Sequence, residues 1–387
     1  MRLPGTILLI CGIASPTVAQ DLSLPSDPLS GRLVFEEKGC IRCHALGGYG
    51  GTVGPDFAEE HFFGSSAELA SALWNHIPEM NRKYRQRGIE RPTLTESEML
   101  NLMGFLYYLR YLGEPGSALT GGRLLEEKGC LSCHDPASTG SSVGPSFTDL
   151  EHEVSPVNLV QAMWNHVPAM QEEAYELGMA YPVLGDDDIN DISAYLQIAS
   201  AQGTRIRMST GDPNEGRQTF DAKHCTACHT VDGSDDKVGP DFLATDLERS
   251  VTQIAGLMWN HGPLMREYMA TEKVEWPEFS GNEMADLIAY LYFLGFWDEP
   301  GNESAGAAVM VDKGCTSCHK PDETSDAPDL ASIAKPASLV DLASLMWNHA
   351  AEMEDLVLTR NMEWPELSKK EIQDLYAFLN AHSQNQR

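Results

Sequence analysis

Four times the chain sets two cysteines three residues apart with a histidine directly behind them: Cys40-Ile-Arg-Cys43-His44, Cys130-Leu-Ser-Cys133-His134, Cys225-Thr-Ala-Cys228-His229 and Cys315-Thr-Ser-Cys318-His319. The first cysteines of successive motifs stand 90, 95 and 90 residues apart. One such pentapeptide fits a zinc half-site or a redox dithiol, but a histidine fixed after the second cysteine in every copy selects covalent haem attachment. Two thiols at this spacing add across the two vinyl groups of a haem, and the adjacent imidazole reaches the iron below the ring. The spacing predicts four haems c, held through Cys40, Cys43, Cys130, Cys133, Cys225, Cys228, Cys315 and Cys318, with His44, His134, His229 and His319 as proximal iron ligands.

A second constellation follows each motif: Trp74-Asn75-His76, Trp164-Asn165-His166, Trp259-Asn260-His261 and Trp347-Asn348-His349, with Met80, Met170, Met265 and Met353 four residues after the histidines. On a continuous helix His and Met would share a face, yet one iron accepts only one of them. Pro78, Pro168 and Pro263 disfavour helical backbone at the residue before them, so the helix is expected to end near the histidine and leave the methionine on a loop. On this reading Met80, Met170, Met265 and Met353 are the distal ligands, and His76, His166, His261 and His349 the alternative set. The tryptophan is expected to pack on the haem edge and the asparagine to close the helix end.

The elements that must position these groups also repeat. Gly31, Gly121, Gly216 and Gly306 each lie nine residues before a first cysteine, and an amphipathic segment near each repeat's end carries Phe105, Tyr195, Tyr290 or Phe378 at one equivalent place. A glycine on the first helix lets the last helix cross at close range with the aromatic ring over the gap. Together these features resemble class I cytochrome c across nearly all of residues 29 to 387. The resemblance implies an all-α fold: four tandem cytochrome c-like domains, each wrapped round one haem that supplies much of a core too small to stand alone. It also implies that Pro55, Pro145 and Pro240, eleven residues after the proximal histidines, accept the imidazole N–H through their carbonyls. Repeat 4 is two residues shorter here, with Pro328 nine after His319.

Residues 1–19 have an early Arg2, an apolar run and small residues at a cleavage position, the pattern of a secretory signal peptide that would carry Cys11 away. A linker at 20–28 and domains at 29–116, 117–210, 211–301 and 302–387 follow. The 387 residues carry 57 acidic against 27 basic side chains, a net charge of −30 that argues against nucleic acid and anionic membrane as partners. No later stretch is long and apolar enough for a membrane span. The charge is uneven, −2 in the first domain and −9, −11 and −7 in the next three, which suggests basic redox partners at domains 2 to 4 and an acidic one at Arg82, Lys83, Arg85, Arg87 and Arg91. These features describe an exported, periplasmic carrier or conduit of single electrons and not an enzyme. The rival readings are a haem enzyme with one opened distal site and a subunit of an extracellular cytochrome filament.

Overall fold

A computed structural model describes residues 24–58, 64–109, 116–136, 143–149, 155–199, 210–234, 236–245, 249–320, 327–330 and 335–382, and the leader lies outside them. Each repeat builds a short first helix, a long middle helix and a last helix. Unit 1 has α1 (Ser30–Glu37), α2 (Ser66–Asn75), α3 (Ile77–Arg87) and α4 (Glu96–Tyr108). Unit 2 has α5 (Ala118–Glu127), α6 (Pro156–Glu176) and α7 (Asp188–Ala199), and unit 3 has α8 (Pro213–Ala222), α9 (Val251–Glu272) and α10 (Glu283–Phe293). Unit 4 has α11 (Glu303–Asp312), α12 (Leu339–Thr359) and α13 (Lys369–His382). Among the described residues the only paired strands are Ala45–Leu46 and Tyr49–Gly50. No described helix is long and apolar enough to cross a membrane.

Local chemistry sets the helix starts. Ser155, Ser250 and Ser338 cap the three continuous middle helices, each hydroxyl accepting the backbone N–H three residues on. Gln253 and Asp341 return the bond to the cap residue, as Glu98 does to Thr95 at α4. Directly before each first cysteine the backbone is left-handed, at Gly39, Gly129 and Gly314 (φ 77, 79 and 72°) and, in unit 3, at His224 (φ 62°).

First and last helices cross at the repeated glycines, as expected. A Cβ on Gly31, Gly121, Gly216 or Gly306 would fall 1.9, 1.9, 1.9 or 2.0 Å from a carbonyl oxygen of the last helix, so only glycine admits this approach. Phe105, Tyr290 and Phe378 stand at the same crossing, whereas Tyr195 lies over Gly122.

The units are not joined in chain order. α6 packs on α9, while α12 packs on α2, α3 and α4, so unit 2 pairs with unit 3 and unit 1 with unit 4. Units 1 and 3 meet through their last helices. Tyr107 donates its hydroxyl to the Tyr292 carbonyl (3.2 Å) and Tyr292 donates to the Tyr107 carbonyl (2.6 Å), with ring centroids 4.8 Å apart. Phe293 and Phe296 close this fully buried contact. The contacts between helices therefore run 2–3–1–4, while Asp298, at the end of unit 3, also bonds Gln373 and Lys369 of unit 4.

Candidate haem-binding site

The candidate proximal side shares one hydrogen-bonding frame in all four units. A short 3₁₀ turn begins at each first cysteine, and the backbone N–H of the following histidine bonds back to that cysteine's carbonyl. His44, His134, His229 and His319 then donate Nδ1–H to the carbonyls of Pro55, Pro145, Pro240 and Pro328 at 3.2, 3.0, 3.1 and 2.9 Å. A carbonyl can only accept, so this bond fixes the proton on Nδ1 and leaves the Nε2 lone pair free for a metal. Burial holds the pKa of His44, His229 and His319 below the ordinary histidine value, against the opposing pull of the proline carbonyl. These imidazoles are neutral at pH 7, the form that ligates. The shorter loop of repeat 4 preserves the bond, with Ala327 standing where the other units have glycine.

Gly54, Gly144 and Gly239 make room for the imidazole. A Cβ there would lie 2.3, 2.7 or 2.6 Å from the ring of the proximal histidine. Phe57, Phe147 and Phe242 stack on the opposite side of these rings at centroid distances of 4.6, 5.0 and 4.5 Å. The stacking phenylalanine was not foreseen from the sequence, although the recurring Gly-Pro-x-Phe holds its signal; repeat 4 has Leu330 instead.

A second unforeseen device is the lysine two residues before each first cysteine. Lys38, Lys128, Lys223 and Lys313 donate to the carbonyls of Thr93, Val183, Glu278 and Glu366 at 2.7–2.9 Å. Each also pairs with a carboxylate in or at the start of the last helix: Glu98, Asp188, Glu283 and Glu371, at 2.8–3.0 Å. The cysteine turn is thus tied to the segment that closes the far side of the cavity.

On the distal side the helix does not end at the histidine. α6, α9 and α12 run through Trp-Asn-His and on past the methionine, with Pro168 and Pro263 inside them. At the α2–α3 junction His76 keeps helical backbone, and the Met80 N–H still bonds the His76 carbonyl at 3.0 Å. His and Met therefore stand one turn apart on one face, and the expected loop placement of the methionine is corrected.

That face lines a cavity. In unit 1 a space of about 270 Å³ is bordered by Cys40, Cys43, His44, Gly54, Pro55, Phe57, His76 and Met80, and closed by apolar side chains from α2, α4 and the 89–94 segment. In unit 4 the smaller space is bordered by Cys315, Cys318, His319, His349, Met353 and Met362, with the His319 and His349 rings 5.9 Å apart. Burial pushes the Cys40 and Cys225 thiols up to about 11. Paired thiols at one edge, a neutral imidazole below, His and Met above and an apolar surround fit a covalently held haem.

The opposite face of the same helix belongs to the partner unit, which corrects the roles expected of Trp and Asn. Trp74, Trp164, Trp259 and Trp347 donate their indole N–H to the carbonyls of Pro365, Pro277, Pro182 and Pro92 at 2.7, 2.8, 2.8 and 2.9 Å, in every case across a unit boundary. Asn75, Asn165, Asn260 and Asn348 give and take backbone hydrogen bonds at Leu367, Phe279, Leu184 and Leu94, two residues after those prolines. The residue before each proline stacks on the incoming indole: Trp364 on Trp74 (4.5 Å), Trp276 on Trp164 (4.4 Å), Tyr181 on Trp259 (4.6 Å) and Arg91 over Trp347 (4.1 Å).

Four of the five bases expected to form an acidic partner's docking patch have partners within the molecule, and Arg87 borders the unit 1 cavity. Arg82 and Lys83 pair with Glu79, and Arg85 pairs with the buried Glu354 of unit 4. The guanidinium of the half-buried Arg91 lies buried over Trp347, and burial lowers its pKa to about 10.

Residues 213–294 and 303–383, units 3 and 4, match the cytochrome c family model. That match supports a haem-based electron-transfer protein whose cofactor is covalent haem c. No curated protein and no solved structure matches the chain.

Proposed function

We propose that the chain is an exported tetrahaem c-type cytochrome, a conduit of single electrons between redox partners, with one haem in each of the units 29–116, 117–210, 211–301 and 302–387. The observation that carries this reading is the proximal bond from His44, His134, His229 and His319 to a proline carbonyl, repeated four times at 2.9–3.2 Å beside four cysteine pairs. The bound haem supplies one-electron exchange at its iron. The chain holds it through the cysteine sulfurs, keeps the proximal Nδ1–H on the proline carbonyl so that Nε2 is the donor, and excludes water with the apolar walls.

For the sixth position the proposal is His76, His166, His261 and His349. With the helix unbroken, the argument for the methionine from a proline-ended helix is gone, and only the family resemblance still favours it. His76, His166 and His261 donate Nδ1–H to the carbonyls of Ala72, Ala162 and Leu257, four residues back, at 3.2, 2.6 and 2.8 Å. This repeats the orienting bond of the proximal side and leaves Nε2 as the free donor. Met80, Met170, Met265 and Met353 are the second reading, favoured by their place on the same cavity face one turn on.

The excess of acid in units 2 to 4 favours a basic redox partner there. Anaerobic reduction under carbon monoxide tests the reading: the haemoprotein takes up four electrons per chain and binds no carbon monoxide. Binding at any haem would reveal an open iron and turn the assignment towards an enzyme.

A further inference from the structure

Each middle helix is two-sided. His349 and Met353 face their own cavity, while Trp347, two residues before that histidine, lines the cavity of unit 1 together with Pro92 and Leu94. Reciprocally, Trp74 lies two residues before His76 and donates to the carbonyl of Pro365, a residue of the unit 4 cavity wall. Helical arithmetic produces this division, because residues two apart are about 200° apart around the axis and so face opposite ways. A pocket wall of one unit is thus bonded, within three residues, to the axial candidate of its partner. Trp164, Trp259, Asn165 and Asn260 repeat these hydrogen bonds between units 2 and 3.

We propose that these tryptophans are the crossing points for electrons within two coupled haem pairs, 2 with 3 and 1 with 4. The Tyr107–Tyr292 contact joins the pairs, so electrons pass in the order 2–3–1–4 and not in the order of the repeats. The inference rests on the conduit reading and adds the route. The path is continuous in bonds and van der Waals contact: axial histidine, Asn, Trp, then the partner's cavity wall. It places units 2 and 4 at the two ends and makes units 1 and 3 the inner relays.

Redox titration of the full-length haemoprotein followed by magnetic resonance of the individual haems tests the pairing. Phe57→Leu, Phe147→Leu and Phe242→Leu each disturb one proximal imidazole and so assign the signals of haems 1, 2 and 3, leaving haem 4 by difference. Reducing one haem is expected to move the midpoint of its pair partner most, 4 with 1 and 3 with 2. The largest couplings falling between 1 and 2 and between 3 and 4 would overturn the order.

Trp347→Leu is then expected to slow exchange between haems 1 and 4 roughly tenfold while leaving 2 and 3 unchanged. Trp347→Phe, which keeps an aromatic ring in the wall, should retain most of the rate. Normal exchange in the leucine variant would remove the tryptophan from the route. If the four haems are present but take no electrons from any donor protein, the conduit reading fails instead, and the coupling pattern still reports the pairing.

Discussion

The carbonyl of Trp164, left without a helical partner because Pro168 has no N–H, accepts the indole N–H of Trp276 from the neighbouring unit at 3.1 Å. The two rings stack with centroids 4.4 Å apart. Unit 1 does the same, Trp364 donating to the Trp74 carbonyl at 3.3 Å above Pro78. In these two units the partner supplies the donor that the proline lacks.

Trp276→Phe is therefore expected to destabilise the pair of units 2 and 3 by about 1–2 kcal/mol, since a buried carbonyl loses its donor. In the Pro168→Ala background the loss should be smaller, because the alanine offers its own N–H to the same carbonyl. Denaturant unfolding of the four proteins of this cycle reads the coupling, and strictly additive effects would show that the two sites do not share that carbonyl.

Haem content follows from four intact attachment motifs. A pyridine haemochrome assay on properly matured protein should return four haems per chain, and Cys130→Ser with Cys133→Ser should return three. Three or fewer in the unaltered protein would contradict the assignment.

Ligation has a spectroscopic signature. The oxidised protein should lack a methionine-to-iron charge-transfer band in the near infrared, and His76→Ala should change one haem's spectrum while Met80→Ala leaves it unaltered. The reverse pattern would move the sixth ligand to the methionines and raise the expected potentials.

Acid sensitivity comes from the lysine ties. The Lys38 ammonium beside Glu98 holds that carboxyl below its ordinary value of 4.5, with the Thr95 backbone N–H adding to the effect. A depressed folded pKa gives stability that is present above the unfolded value and lost as pH falls through the folded one. Unit 1 should lose about 0.5–1 kcal/mol on acidification below that value, and Lys38→Met should flatten this part of the pH profile. An unchanged profile in the variant would exclude the pair as its source.

Reversal of the basic cluster should act inside the molecule. Arg85→Glu puts a second carboxylate beside Glu354, which is 5% exposed and also accepts from Asn81 at 2.7 Å. The contact between units 1 and 4 should weaken by about 2–3 kcal/mol. The test is thermal unfolding of the variant beside Arg82→Glu, whose partner Glu79 is exposed and whose cost should be much smaller because solvent screens the pair. Equal losses would mean that Arg85 has no special place at the interface.

The cysteine pairs with their following histidines and the glycine crossings were legible in the sequence because each depends on contacts within one repeat of fixed spacing, while the proline carbonyl acceptors came from the family resemblance. Gly31 and Phe105 are an example: the close approach needs a glycine, and the four copies of it align by counting residues. What the sequence left open was decided between repeats. Trp74 and Asn75 read as local packing and capping residues, yet their polar groups bond to Pro365 and Leu367, 291 and 292 residues away. Pro168 read as a helix stop, because the rule that a proline breaks a helix assumes that no other donor reaches the freed carbonyl. Trp276 reaches it only once units 2 and 3 are packed together. Spacing along the chain records which groups one repeat needs; the partner of each repeat, and with it the run of the helix through histidine and methionine, is set by surfaces that meet only in the folded molecule.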